Sequence, residues 1–218
     1  MDSFADARTK MVDSQLRTEA VTDHAVLAAM AEVPREIFVP ADQRALAYLD
    51  RDVPLKVAGR ALMEPAPLGR LIQAADVDDT ERVLVIGAGT GYSAAVLSRL
   101  AGSVFALEQD AALAAQATRN LADVKAANVT VVVGPLDMGH AAAAPYDVIL
   151  FDGAVEVLHD RLLDQLAEGG RAVAVVGYGR AAAATLFTRS EGRIGSRPLF
   201  DADVPPLPGF RKPEAFVF

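Results

Sequence analysis

The chain has 218 residues, with 21 basic and 29 acidic side chains, a formal charge of −8, no cysteine and no tryptophan. That length supports one sizeable core with an appended lobe, not two independent domains. An acidic balance without any Lys/Arg run argues against nucleic acid as a partner, and the lack of cysteine excludes disulfides, thiolate metal sites and cysteine nucleophiles.

The start, Met1–Asp2–Ser3–Phe4–Ala5–Asp6, lacks the basic and apolar regions of a signal peptide, and no apolar run reaches membrane-spanning length. The cytoplasm is the expected compartment, with no membrane partner. Residues 7–16 are mildly periodic, and Thr22–Asp23 offers an N-cap before Val26, Leu27, Met30 and Val33, which predicts two short helices. Pro34 and Pro40 bracket an expected extended segment, 35–39. Residues 45–64 are irregular, and read either as a loop with substrate contacts or as a surface connector. Pro65 and Pro67 open a helix whose apolar face is Leu68, Leu71, Ile72 and Ala75.

After the polar break 76–81, strands (82–86, 103–107, 129–133, 147–151, 171–176) interleave with helices (91–101, 111–122, 156–167). This alternation predicts a parallel sheet covered on both faces by right-handed crossovers. Asp110 is placed to cap one helix and Gly169–Gly170 to stop another. Residues 184–189 and 194–200 flank Glu191–Gly192 as an antiparallel hairpin, and after the proline-rich 204–209 the residues 215–218 read as a last strand or a docked tail.

The chain is organised around one turn, where the apolar strand 82–86 runs into Gly87–Ala88–Gly89–Thr90–Gly91 and then a helix. Alternate glycines predict a tight bend that presents bare backbone amides at a helix start, with or without a ligand on them. No lysine follows, as a P-loop requires, and Tyr92 stands where a dinucleotide fingerprint needs glycine. Glu108, at the end of the next strand, suits a nucleoside, since its carboxylate can accept two ribose hydroxyl hydrogen bonds. The expected cradle is Gly87, Ala88, Gly89, Gly91 and Glu108, with Leu136 at the third strand end. The pattern resembles the S-adenosylmethionine site of a class I methyltransferase. Asp137 and Asp152 are further strand-end candidates, and Tyr92 packs over either the ligand or the sheet. His24, His140 and His159 fall on separate elements, so no metal site is expected, and Ser93 lies outside any nucleophile elbow.

Over most of its length the chain resembles the protein-L-isoaspartate O-methyltransferase family. The resemblance rests on Met11–Val12–Asp13–Ser14–Gln15–Leu16–Arg17, Val33–Pro34–Arg35–Glu36–Ile37–Phe38–Val39–Pro40, Asp52–Val53–Pro54–Leu55, the glycine turn, Tyr146–Asp147–Val148–Ile149 and residues 163–171. It implies an α/β, Rossmann-like fold: a mostly parallel seven-stranded sheet with an antiparallel C-terminal hairpin. In this single domain, 1–64 form a helical extension and substrate loop, and 65–218 the cofactor-binding core. It also implies S-adenosylmethionine as cofactor and, as partner, a damaged protein or peptide whose isoaspartyl carboxylate is methylated. The alternative is a catalytically lapsed member acting as a protein- or nucleoside-binding module. Where the family has Gly-Gln-Thr-Ile-Ser before a proline, this chain has Gly59–Arg60–Ala61–Leu62–Met63–Glu64–Pro65. Of the substrate-loop candidates Arg60, Met63 and Glu64, Arg60 would clamp a carboxylate or be solvated, Met63 offers no hydroxyl, and Glu64 would repel a carboxylate. Val85 and Gly134–Pro135–Leu136 also replace acidic positions of the family's cofactor site.

Overall fold

The computed structural model describes residues 3–212, so the expected strand or tail at 215–218 lies outside the described residues. Helix α1 (Phe4–Met11) starts at a capping box in which Ser3 and Asp6 satisfy each other's backbone amides, and runs on into a π-helical turn, Val12–Leu16. Met11, Val12 and Leu16 are its buried face. Helix α2 (His24–Glu32) is capped by Asp23, whose carboxylate accepts from the amides of Ala25 and Val26 at 2.7 and 2.9 Å.

The segment 35–39 is not extended as expected, because Arg35–Ile37 forms a 3-10 turn. The cause is the Arg35 side chain, which is drawn fully inside to donate to the carbonyls of Ala47 and Met63 at 2.7 and 2.6 Å. A second 3-10 segment, Ala41–Leu46, leads to a small antiparallel hairpin of β1 (Val53–Pro54) and β2 (Ala61–Leu62). Helix α3 (Pro65–Ala75) then buries Leu68, Leu71, Ile72 and Ala75, and Asp76 in the left-handed region ends it.

The sheet and its helices follow as β3 (Arg82–Ile86), α4 (Tyr92–Leu97), β4 (Ser103–Glu108), α5 (Ala111–Asp123), β5 (Val129–Val133), β6 (Tyr146–Val155), α6 (Asp160–Leu163), β7 (Leu166–Val176), β8 (Ala183–Ser190) and β9 (Arg193–Asp201). The strand order is β5-β4-β3-β6-β7-β8-β9, with β3 to β7 parallel and β8 and β9 antiparallel. The order reverses beside β3, the place where an open α/β sheet leaves a crevice beyond its strand ends.

Two expected boundaries give way. The helix expected at 156–167 shrinks to the single turn of α6, because β6 runs on to Val155 and β7 begins at Leu166. Gly169–Gly170 therefore lie inside β7 and stop no helix. A β-carbon on Gly170 would stand 3.0 and 3.1 Å from the Asp147 and Tyr146 carbonyl oxygens, so the glycine admits close backbone approach. Helix α4 is likewise shorter than the expected 91–101.

One apolar cluster joins the N-terminal helices, α3 and α4 to one face of the sheet; the other face buries Leu84, Ile86, Leu107, Phe151, Leu207 and Phe210. The outer strand, β9, is exposed along most of its length and carries Arg193, Arg197 and Pro198, with a register shift against β8 between Ala184 and Thr185.

Candidate functional site

The glycine turn forms where the sequence placed it, at the carboxyl end of the central strand. Gly87, Gly89 and Gly91 have φ of +84°, +56° and +97°, a region that side chains disfavour, so the bend depends on glycine. Four of its amides, those of Gly87, Ala88, Gly89 and Gly91, have acceptors within the chain. Gly87 and Ala88 both donate to the Leu107 carbonyl at 2.9 and 3.0 Å, and Gly91 donates to the Ala88 carbonyl at 2.8 Å. The Gly89 amide donates to Glu108 Oε2 at 2.8 Å.

Glu108 is fully buried at the end of β4, and its acceptor positions are taken by protein. Besides Gly89, the Asp110 amide donates to Oε1 at 3.0 Å. Arg60 supplies the rest: Nη1 reaches Oε1 at 3.1 Å and Nη2 reaches Oε2 at 2.7 Å, while Nη2 also donates to the Gly87 carbonyl at 2.9 Å. Such a two-pronged guanidinium–carboxylate pair is the strongest arrangement these groups form. Arg60 is thus not solvated, and the carboxylate it clamps belongs to its own chain. The hairpin fixes its backbone, through Leu55 N–H to the Arg60 carbonyl at 3.0 Å and Arg60 N–H to the Val57 carbonyl at 2.9 Å.

The other wall comes from the proline-rich segment near the C-terminus. Ala154 donates to the Pro205 carbonyl at 2.9 Å, Leu207 donates to the Ala154 carbonyl at 2.8 Å, and the Phe210 carbonyl accepts from Glu156 and Val157. This lays the segment along the end of β6 and brings Leu207 onto the glycines. A β-carbon built on Gly87 would stand 2.5 Å from Leu207 Cδ2, and one on Gly153 would stand 2.8 Å from it. Leu136, fully buried, belongs to the same apolar cluster as Leu207, Phe151 and Phe210. An adenosine moiety therefore does not fit the cradle in this conformation: its carboxylate is saturated and its glycine face is covered.

The three substrate-loop candidates are separated. Arg60 enters the cradle, Met63 is 2 % exposed within the main core, and the half-buried Glu64 sits beside Asp50 and Asp52. Burial, and then the negative charges of Asp50 and Asp52, push the Glu64 carboxyl up to about 7. Tyr92 packs in the core against Phe38, edge to face at 5.5 Å, with the Arg35 guanidinium 4.8 Å over its ring. Asp152 accepts from the Ser93 hydroxyl at 2.6 Å, and burial pushes its carboxyl up to about 6 against the opposing effects of Ser93, Arg60 and Arg35. Asp137 pairs with Arg161 at 2.5 Å, and Asp110 caps α5. Among the described residues no group of three or more His, Asp or Glu is placed to hold a metal ion, and no helix is long and apolar enough to cross a membrane.

Sequence reasoning missed Leu207 and the destination of Arg60. The signals available were a lone cation between apolar residues in 57–63, and a Val-Pro-Pro-Leu-Pro run too rich in proline to be a solvated helix.

The mostly parallel seven-stranded sheet with its antiparallel C-terminal pair, and the glycine turn opposite a strand-end glutamate, are those of a class I methyltransferase. Residues 6–202 match the family described as Protein-L-isoaspartate(D-aspartate) O-methyltransferase, and the chain belongs to that family. A relative from Koribacter versatilis, a protein-L-isoaspartate O-methyltransferase, is 39 % identical over 209 residues, covering 96 % of this chain and 94 % of the relative. A solved protein-L-isoaspartate O-methyltransferase superposes with a TM-score of 0.81 at 26 % identity, over 93 % of this chain and 66 % of that one. A structure from Plasmodium falciparum in complex with S-adenosyl-L-homocysteine shares the fold, with a TM-score of 0.80 at 18 % identity over 92 % of this chain and 97 % of that one.

Proposed function

We propose that this chain is an S-adenosylmethionine-dependent O-methyltransferase that esterifies the free carboxylate of isoaspartyl residues in damaged proteins or peptides, and that it does so in the cytoplasm. The observation that carries this reading is the family match across residues 6–202, which takes in both the glycine turn and Glu108. The name of the Koribacter relative and the S-adenosyl-L-homocysteine bound by the Plasmodium neighbour support the activity and the donor.

The chemistry asks little of the protein's own side chains. The acceptor carboxylate is already a nucleophile, so the chain has to orient it and exclude water, without a strong general base. The residues proposed to hold the donor are Gly87, Ala88, Gly89, Gly91, Glu108 and Leu136. In the described conformation Arg60 and Leu207 cover them, so this assignment requires both to move.

The test is transfer of labelled methyl from S-adenosylmethionine to an isoaspartyl peptide, beside the same peptide with ordinary aspartate. A base-labile methyl ester confined to the isoaspartyl peptide is the expected result. No transfer by protein that binds the donor would remove the isoaspartyl acceptor from the reading.

A further inference from the structure

The place expected for two ribose hydroxyls is taken by two guanidinium N–H groups. A ribose diol would give Glu108 two hydrogen bonds; Arg60 gives it two, at 3.1 and 2.7 Å, and adds a positive charge. With Gly89 and Asp110 donating as well, no acceptor position remains for a nucleoside. We infer that Arg60 is an internal latch on the adenosine site: its side chain stands in for the ribose diol on Glu108, and the donor enters only when the guanidinium swings out of the cradle. This inference rests on the methyltransferase reading.

Three features favour a latch over a fixed internal strut. Arg60 lies in the turn between β1 and β2, outside the seven-stranded sheet, so swinging its side chain out breaks no ladder of that sheet and leaves the buried Val53, Leu55 and Leu62 of the hairpin in the core. The turn between its strands holds positive-φ residues at both ends, Lys56 at +62° and Gly59 at +73°, and its outer anchor, the ion pair of Lys56 with Asp42 at 2.7 Å, is solvent-exposed and therefore weak. A cleft of about 570 Å³ lined by Arg60, the hairpin turn, Pro205 and Pro206 gives the side chain somewhere to move. Opening the latch exchanges one buried set of hydrogen bonds on Glu108 for another, and the affinity measured for the donor is the intrinsic affinity reduced by the fraction of molecules already open.

Calorimetric titration of the full chain with S-adenosyl-L-homocysteine tests this, using the wild type, Arg60→Gln and Arg60→Lys. Arg60→Gln removes both prongs of the clamp but leaves a buried carboxylate without its counter-charge. Arg60→Lys keeps the charge and gives up the two-pronged geometry, so the fold is protected in at least one variant. The expected result is weak binding by the wild type and binding about tenfold or more tighter by a folded variant. Equal affinity in all three overturns the latch, and so does an absence of binding in all three, since the arginine would then not be what closes the site. A crystal structure of the wild type grown with S-adenosyl-L-homocysteine gives an independent reading. Arg60 displaced from Glu108 supports the proposal, and ligand in the cradle beside an intact Arg60–Glu108 pair overturns it. Methyl transfer to an isoaspartyl peptide by the same proteins separates the two claims. A variant that binds tightly yet transfers nothing defeats the acceptor assignment and leaves the latch standing; rapid turnover with equal affinities does the reverse.

Discussion

Asp152 is a carboxyl whose surroundings disagree. Burial favours its neutral form, while the Ser93 hydroxyl, Arg60 and Arg35 favour the ion, and Glu108 nearby opposes it; the outcome is a group pushed up to about 6. In an unfolded chain an aspartate releases its proton near pH 4, so between about 4 and 6 the folded state binds more protons. Stability from this group therefore falls as pH rises through that window and is level above it. The urea midpoint of the wild type relative to Asp152→Asn, which can still accept from Ser93, should fall as pH rises across that range and level off above it. Met63 makes the opposite point about residue type and residue place. By sequence it stands where the family's functional serine would be, yet its side chain lies in the main core. Met63→Ser is accordingly expected to cost about 3 kcal/mol, from lost burial and a polar group placed in an apolar site, read as a lowered urea midpoint. The contents of the cradle were legible only in part. Gly87, Gly89, Gly91 and Glu108 follow from local chemistry, but the pairing of Arg60 with Glu108 spans 48 residues and no local pattern encodes it.

At the scale of elements, legibility followed how much of the signal was local. Asp110 caps α5 as expected, accepting from the amides of Ala112 and Leu113 at 2.9 Å each. Asp110→Ala should cost about 1 kcal/mol of stability, measurable by thermal or urea unfolding. The strands β3, β4 and β5 announce themselves as short apolar runs, and the structure keeps those spans within a residue. Residues 156–167 failed because leucines at helical spacing do not say whether a neighbouring strand will claim the flanks. Here β6 and β7 do, leaving one turn of helix between them. Segment 35–39 failed for a related reason: the prolines restrict their neighbours, but the buried hydrogen bonds of Arg35 decide the path between them.

Across the whole molecule, the alternation of strands and helices foretells a parallel sheet with crossovers on both faces, while the order of the strands and the switch beside β3 depend on long-range pairing that no local run encodes. The C-terminal cover was not legible either, because Val204–Phe210 forms no regular element and acts through a few backbone hydrogen bonds and two apolar side chains, Leu207 and Phe210. The sheet's far boundary has a consequence of its own. A free outer strand is an invitation to another chain, and β9 declines it in two ways: arginines at 193 and 197 repel a like neighbour, and Pro198, beside a slipped register, has no amide to offer. Replacing Arg197 and Pro198 together with valine should turn that rim into a template for polymer growth, visible as rising light scatter on gentle heating at concentrations where the parent solution stays clear.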